Sequence, residues 1–218
     1  MSELKLTSKP TTKPTEPEYL KWNRNPARPT IKLEQSMYAK NPFWQNQLRC
    51  DREQWIAHLV KTNGWKNGAE LGMWKGRTFL FLLSQCPDLT LIGVDLWAPQ
   101  PDNTGLETYE SWDHVGFENN VRKQAEKFGD RAIIVKGWTV EAANDVEDNS
   151  LDFVFVDADH STEAVYNDIK AWWPKVKDTG WIIGHDINWP IVKVVADELL
   201  PGYVIGPDNA WGRAKCPK

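Results

Sequence analysis

Ala69-Glu70-Leu71-Gly72-Met73-Trp74-Lys75-Gly76-Arg77-Thr78 reads as the end of a strand, a tight turn and the start of a helix. Glu70 closes the strand. Gly72 has no Cβ, so the backbone there can approach a ligand closely, and Gly76 lets the following helix pack tightly as it leaves. That helix, Thr78–Ser84, runs apolar through Phe79, Leu80, Phe81, Leu82 and Leu83. About twenty residues beyond the turn, a second apolar run, Leu91-Ile92-Gly93-Val94-Asp95, ends on a carboxylate, as in a nucleoside-binding βαβ unit. A carboxylate at the end of a buried strand suits the two hydroxyls of a ribose.

The turn lacks the dinucleotide fingerprint. That fingerprint, G-x-G-x-x-G, needs its second glycine to admit a pyrophosphate to the helix N-terminus. Here the spacing is E-x-G-x-x-x-G, and Met73 and Trp74 stand where the pyrophosphate would need room. The expected ligand is a nucleoside without phosphates, and an NAD-dependent enzyme is disfavoured. At these residues the chain resembles the class I S-adenosylmethionine-dependent methyltransferases, whose first motif is an acidic residue followed by G-x-x-x-G. The resemblance spans roughly residues 63 to 215.

The rest of the chain alternates strands and helices. Trp55, Ile56, Leu59 and Val60 share one face of a helix that starts near Asp51 and ends at Asn63-Gly64. Phe117, Val121, Ala125 and Phe128 form a stripe ended by Gly129-Asp130, before a strand at Ala132–Val135. Leu151–Asp157 is the strongest strand. The helix after it is expected to place Val165, Ile169, Trp172 and Val176 on one face. Thr179-Gly180 reads as a break before a strand at Trp181–Gly184. Pro190 opens a further helix, and Tyr203–Ile205 and Ala210–Arg213 read as a closing hairpin. A parallel pair needs a crossover, so the expectation is an α/β, Rossmann-like, doubly wound and mainly parallel seven-stranded sheet with a C-terminal antiparallel hairpin.

Residues 1–32 differ from the remainder. Thr, Lys and Pro dominate, and seven Lys or Arg against three Glu give +4, so residues 33–218 carry −8 of the net −4. The reading is a flexible tail followed by one domain over 33–218, with Phe43 and Trp44 as candidate pocket or core aromatics. The acidic balance argues against a nucleic-acid-binding surface. The three cysteines, Cys50, Cys86 and Cys216, are too widely spaced for a zinc or disulfide pattern. With no apolar leader and no membrane-length run, a soluble cytoplasmic protein without a membrane partner is expected. The 13 Trp leave a homodimer open.

Two constellations carry the chemistry: Asp157-Ala158-Asp159-His160 and His185-Asp186-Ile187-Asn188, each at a strand's carboxyl end, where the ligand crevice of an open α/β sheet forms. A hydroxyl is a poor nucleophile near neutral pH. A divalent cation lowers its pKa, or a base takes its proton. The pattern is similar to the metal-dependent O-methyltransferases of the catechol and macrocin types, which place an Asp after strand four and an Asp pair or Asp-Asn after strand five. The resemblance implies Asp157, Asp186 and either Asn188 or Asp159 as ligands of a candidate Mg²⁺. Ile187 stands where the family has the second residue of its strand-five pair, the third ligand. It further implies Asp157 with His160 or His185 as catalytic groups, with His160 ranked first as base. Glu70 and Gly72 would hold the methionine end of S-adenosylmethionine and Asp95 its ribose, with Met73 and Gly76 also among the cofactor-binding residues. Leu96, Trp97, Gly137, Trp138 and Thr139 would flank the adenine, and Asp157 is also expected to touch the cofactor. The expected reaction is methylation of a hydroxyl on a small molecule. An N-methyltransferase, a metal-free variant and a non-catalytic nucleoside-binding module stand as alternatives.

Overall fold

A computed structural model describes residues 51–99 and 112–216. The Thr/Lys/Pro-rich segment 1–32, Phe43, Trp44, Cys50 and residues 100–111 of the loop after Asp95 lie outside the described residues.

Chain order is α1 (Arg52–Asn63), β1 (Asn67–Leu71), α2 (Arg77–Gln85), β2 (Thr90–Asp95), α3 (His114–Ala125), β3 (Ala132–Lys136), α4 (Thr139–Ala142), β4 (Leu151–Val156), α5 (Thr162–Trp172), β5 (Val176–Gly184), α6 (Pro190–Leu199), β6 (Val204–Ile205) and β7 (Trp211–Ala214). The strands form one seven-stranded sheet in the order β3-β2-β1-β4-β5-β7-β6. The first five are parallel, and β7 runs antiparallel to both β5 and β6, so the expected doubly wound sheet and closing hairpin are present. Among the described residues no helix is long and apolar enough to cross a membrane.

The sheet is buried on both faces, which is why its strands read as continuous apolar runs. On one face Trp55, Ile56 and Val60 of α1 join Phe79 and Leu82 of α2 and Val121 of α3 over Phe153 and Phe155. On the other, Val165, Ile169 and Trp172 of α5 join Val192, Val195 and Ala196 of α6 over Val154, Val156 and Ile182. Helix α1 stops where expected: Gly64, at φ 66°, takes the left-handed cap, and its N–H donates to the Lys61 carbonyl.

Three elements differ from what the sequence pattern leads one to expect. Val176 does not continue the α5 stripe, because Pro174 sits in a 3-10 turn (Trp173–Lys175) and Val176 opens β5. Thr179-Gly180 does not break the chain. Strand β5 runs through it, and its register against β4 jumps from Leu151↔Val176 to Phe153↔Trp181, so residues 177–180 are absorbed as a bulge. Helix α3 ends at Ala125, and Phe128 lies in the 3-10 turn Glu126–Arg131.

Strand order reverses between β1 and β4, and the end of β1 is tied to both neighbours: Asp157 N–H after β4 donates to Leu71 O (2.9 Å), and Gly72 N–H donates to Val94 O of β2 (2.8 Å). Gly72 has φ 85°, and a Cβ on it would stand 2.2 Å from the carbonyl oxygen of Asp157. Both the left-handed backbone and the space demand glycine. Gly72→Ala is expected to lower unfolding free energy by about 1–3 kcal/mol, read as a lower urea midpoint at unchanged slope.

Candidate active site

The crevice opens at the carboxyl ends of β1, β2, β4 and β5, where an open α/β sheet binds its ligand. It forms a cavity of about 1240 Å³. Of the residues singled out in the sequence, Glu70, Gly72, Met73, Asp95, Leu96, Trp97, Gly137, Trp138, Thr139, Asp157, Asp159, His160 and His185 all line it. Gly76, Asp186 and Asn188 do not. Gly76 instead caps α2 at φ 77° and packs against Val121.

At one end Asp95 is clamped by two turns, the one after β1 and its own. Its Oδ2 accepts from Trp74 N–H at 2.6 Å and its Oδ1 from Trp97 N–H at 2.7 Å. Burial raises its pKa against these bonds. Trp74 and Trp97 both adopt positive φ, 48° and 41°, which turns their amides onto the carboxylate. Trp97 is buried and its indole N–H donates to Trp74 O at 2.8 Å, so its ring braces the turn. Trp138, just after β3, is half-exposed and lines the cavity. Glu70 is 2 % exposed, and its Oε2 has no hydrogen-bond partner. Burial, reinforced by the Asp157 carboxylate, pushes its pKa well above the usual carboxylate range.

At the other end two carboxylates face two imidazoles. His160 Nε2 lies 2.7 Å from Asp186 Oδ2 and 3.8 Å from Asp157 Oδ1. His185 Nδ1 lies 3.0 Å from Asp186 Oδ2 and 3.4 Å from Asp157 Oδ1. Trp189 packs on the His160 ring, with centroids 4.9 Å apart. Asp186 holds a left-handed φ of 55°, a strained turn of the kind that aims a side chain at a site. Burial alone would depress both imidazoles, but the two carboxylates outweigh it and raise each to about 9. The same contacts overcome burial to hold Asp157 and Asp186 below the ordinary carboxylate value.

Two of the oxygens expected around Mg²⁺ are elsewhere. Asp159 Oδ1 accepts Ser161 N–H at 2.6 Å at the start of α5, where Ser161 caps Ala164. Asn188 is exposed and lies outside the cavity wall. Among the described residues, the acidic and histidine donors that cluster closely enough for one metal are Asp157, His160 and Asp186. A hard, octahedral Mg²⁺ prefers oxygen ligands, and two carboxylates facing two imidazoles do not fit it.

Three residues at the site were missed in the sequence. Arg52, read only as a helix start, bridges Asp157 (Nη2–Oδ2, 3.5 Å) and Asp208 (Nη1–Oδ2, 2.8 Å). Asp208 belongs to the β6–β7 turn. Asp168 is 1 % exposed in the cavity wall and accepts from Thr139 Oγ1 at 2.5 Å; burial raises its pKa to about 7. Asp168 had a visible signal, a carboxylate inside the apolar stripe Val165–Ile169–Trp172. Arg52 and Asp208 had none, because they stand 156 positions apart in the chain.

The raised imidazoles give a pH signature. Each holds a proton in the folded state that the unfolded chain releases near 6.5. Their contribution to stability is full below about pH 6.5 and is lost as pH rises through about 9. The melting temperature is expected to fall across that window, and the fall to flatten when His160 and His185 are both replaced by Ala.

A family model described as a methyltransferase domain matches residues 69–187, more than half of the 218. No curated protein matches the chain in sequence. Among solved structures it resembles the S-adenosylhomocysteine-bound methyltransferase PaMTH1 of Podospora anserina (13% identity, 81% of this chain and 83% of that one, TM-score 0.55). It also resembles the O-methyltransferase TomG of Streptomyces achromogenes in complex with S-adenosylmethionine (12%, 78% and 83%, 0.53). A third is CalS11, a TDP-rhamnose 3'-O-methyltransferase of calicheamicin biosynthesis (12%, 75% and 80%, 0.52). At such identities these likenesses speak for the fold, while the family model, which runs from β1 through the acid–imidazole cluster, speaks for the activity class. The chain belongs to the methyltransferase-domain family and has the class I fold of S-adenosylmethionine-dependent methyltransferases.

Proposed function

We propose that the protein moves the methyl group of S-adenosylmethionine to a hydroxyl of a small molecule. The observation that carries this reading is the single cavity with the clamped Asp95 at one end and the paired carboxylates and imidazoles at the other. Asp95 would take the ribose hydroxyls. Gly72 gives backbone access to the methionine end, where the buried, unpartnered Glu70 would meet the donor's cationic groups. Trp138 and Thr139 would border the adenine, with Trp97 bracing that loop. TomG is named an O-methyltransferase and CalS11 a sugar O-methyltransferase, which supports oxygen as the acceptor atom.

His185 is the base in this reading. Its Nδ1 is held by Asp186 and Asp157, and its Nε2 is buried without a hydrogen-bond partner, 3.9 Å from Asp208 Oδ2. That is the arrangement in which a carboxylate orients an imidazole and leaves its far nitrogen free to accept a proton. The acceptor O–H gives its proton to Nε2, the O–CH₃ bond forms and the S–CH₃ bond breaks. The bond pair returns to sulfur, and S-adenosylhomocysteine and imidazolium remain. His160, fixed on Asp186 and Trp189, holds the carboxylates in place.

Calorimetry with S-adenosylhomocysteine and NAD tests the cofactor. The homocysteine nucleoside is expected to bind and NAD not. Asp95→Ala is expected to weaken the nucleoside by about tenfold or more, the loss of charge-assisted hydrogen bonds worth about 1.5–3 kcal/mol. Binding of NAD alone overturns the assignment. With labelled S-adenosylmethionine and a panel of hydroxylated acceptors, His185→Ala is expected to reduce kcat by about 10²–10⁴-fold. In the wild type, methyl transfer should rise with pH toward about 9, as the His185 proton is lost.

A further inference from the structure

Asp168 is a carboxylate that the proposed reaction does not use. It lies on α5, 1 % exposed, in the wall of the cavity. Among the described residues, the groups that bear on it are the Thr139 hydroxyl and the Asp159 carboxylate, and neither is a cation. Burying a carboxylate without a cation is unfavourable, and such a group in a cleft points to a function. The Thr139 Oγ1–H donates to Asp168 Oδ1 at 2.5 Å. One turn further along α5, the Trp172 indole N–H donates to the Thr139 carbonyl at 2.9 Å. Asp168 and Trp172 are four positions apart and share a helix face, so one face of α5 grips Thr139 by its hydroxyl and by its backbone. Thr139 is itself only partly buried and lines the cavity directly after Trp138.

A hydroxyl ordinarily turns to suit its ligand, as donor or as acceptor, whereas an ionised carboxylate can only accept. The Thr139 hydrogen is therefore committed to Asp168, and Oγ1 has only lone pairs left to offer. It can recognise a ligand N–H and it repels a carbonyl oxygen. We propose that Asp168 is a positioning residue that determines specificity: it fixes the Thr139 hydroxyl as an acceptor for the 6-amino group of the cofactor's adenine, so that the site prefers an adenosyl ligand to the inosyl one, which carries a carbonyl oxygen in place of that amine. Asp168 acts through Thr139 and does not touch the cofactor. The inference rests on the reading of S-adenosylmethionine as the cofactor and deepens it. Burial raises Asp168 to about 7, with the Asp159 carboxylate adding to the rise, so the accepting form prevails above neutral pH.

Calorimetry on the full chain at pH 8 compares S-adenosylhomocysteine with S-inosylhomocysteine. The wild type is expected to prefer the adenosyl compound by about tenfold or more, the effect of one hydrogen bond gained or lost. Asp168→Ala frees the Thr139 hydroxyl to turn its hydrogen toward either ligand, and the preference is expected to fall to about threefold or less. Thr139→Val is expected to lose the preference in the same way, and Thr139→Ser to keep it. A role for Asp168 in packing alone would weaken both nucleosides alike and leave their ratio unchanged. Equal binding of the two by the wild type, or a preference that survives Asp168→Ala or Thr139→Val, overturns the proposal. The wild-type ratio and the Thr139 variants carry the test where Asp168→Ala does not fold. Failure of S-adenosylhomocysteine to bind overturns the cofactor reading together with this inference, whereas equal binding of the two nucleosides overturns this inference alone.

Discussion

Everything at the site depends on how closely β1 and β4 approach at their carboxyl ends. The Gly72 backbone lies against the Asp157 carbonyl at a distance no side chain would allow. From that contact two loops diverge. One carries the glycine turn into α2, and the other carries Asp157 and His160 toward α5. Because strand order reverses here, no crossover helix covers the gap. The crevice is thus a by-product of topology, made narrow enough for chemistry by one missing Cβ.

The crevice gathers carboxylates, and each is kept in a different state by its surroundings. Glu70 is buried beside Asp157 without a bond for its Oε2, and burial pushes its pKa well above the usual carboxylate range. Asp168 is equally buried and is raised to about 7 against the Thr139 hydroxyl bond. Asp157 and Asp186 escape the same penalty because His160, His185 and Arg52 surround them. A cationic cofactor would enter a wall that is partly neutral and partly charge-balanced. Pairs of like groups pushed apart by environment are the usual mark of a functional site.

Arg52 and Asp208 lie outside the part of the chain that the family model covers, 69–187. They come from α1 and from the β6–β7 turn and meet over Asp157 at 2.8 Å. This chain therefore closes the acid–imidazole end of the cavity with residues from its flanks.

The sequence by itself determined the alternation of strands and helices, because a doubly covered parallel sheet must be apolar along whole strands and its crossovers must show a helical stripe. It also made the glycine turn and Asp95 legible as motifs, because the turn is set by its own glycines and Asp95 closes an apolar strand, although the Trp74 amide that reaches Asp95 comes from 21 positions away. What it misjudged came from tertiary context. The β5 bulge let Thr179-Gly180 stay in a strand, and Pro174 cut the α5 stripe short. Only the tertiary structure decided the donor set at the reacting end. Asp159, His160, Asp186 and Asn188 look equivalent as letters near a strand end, and the first residues of α5 and the left-handed turn at Asp186 decide which of them face one another. Side-chain direction over such short irregular segments is set by backbone dihedrals and by distant packing partners, neither of which has a period to read.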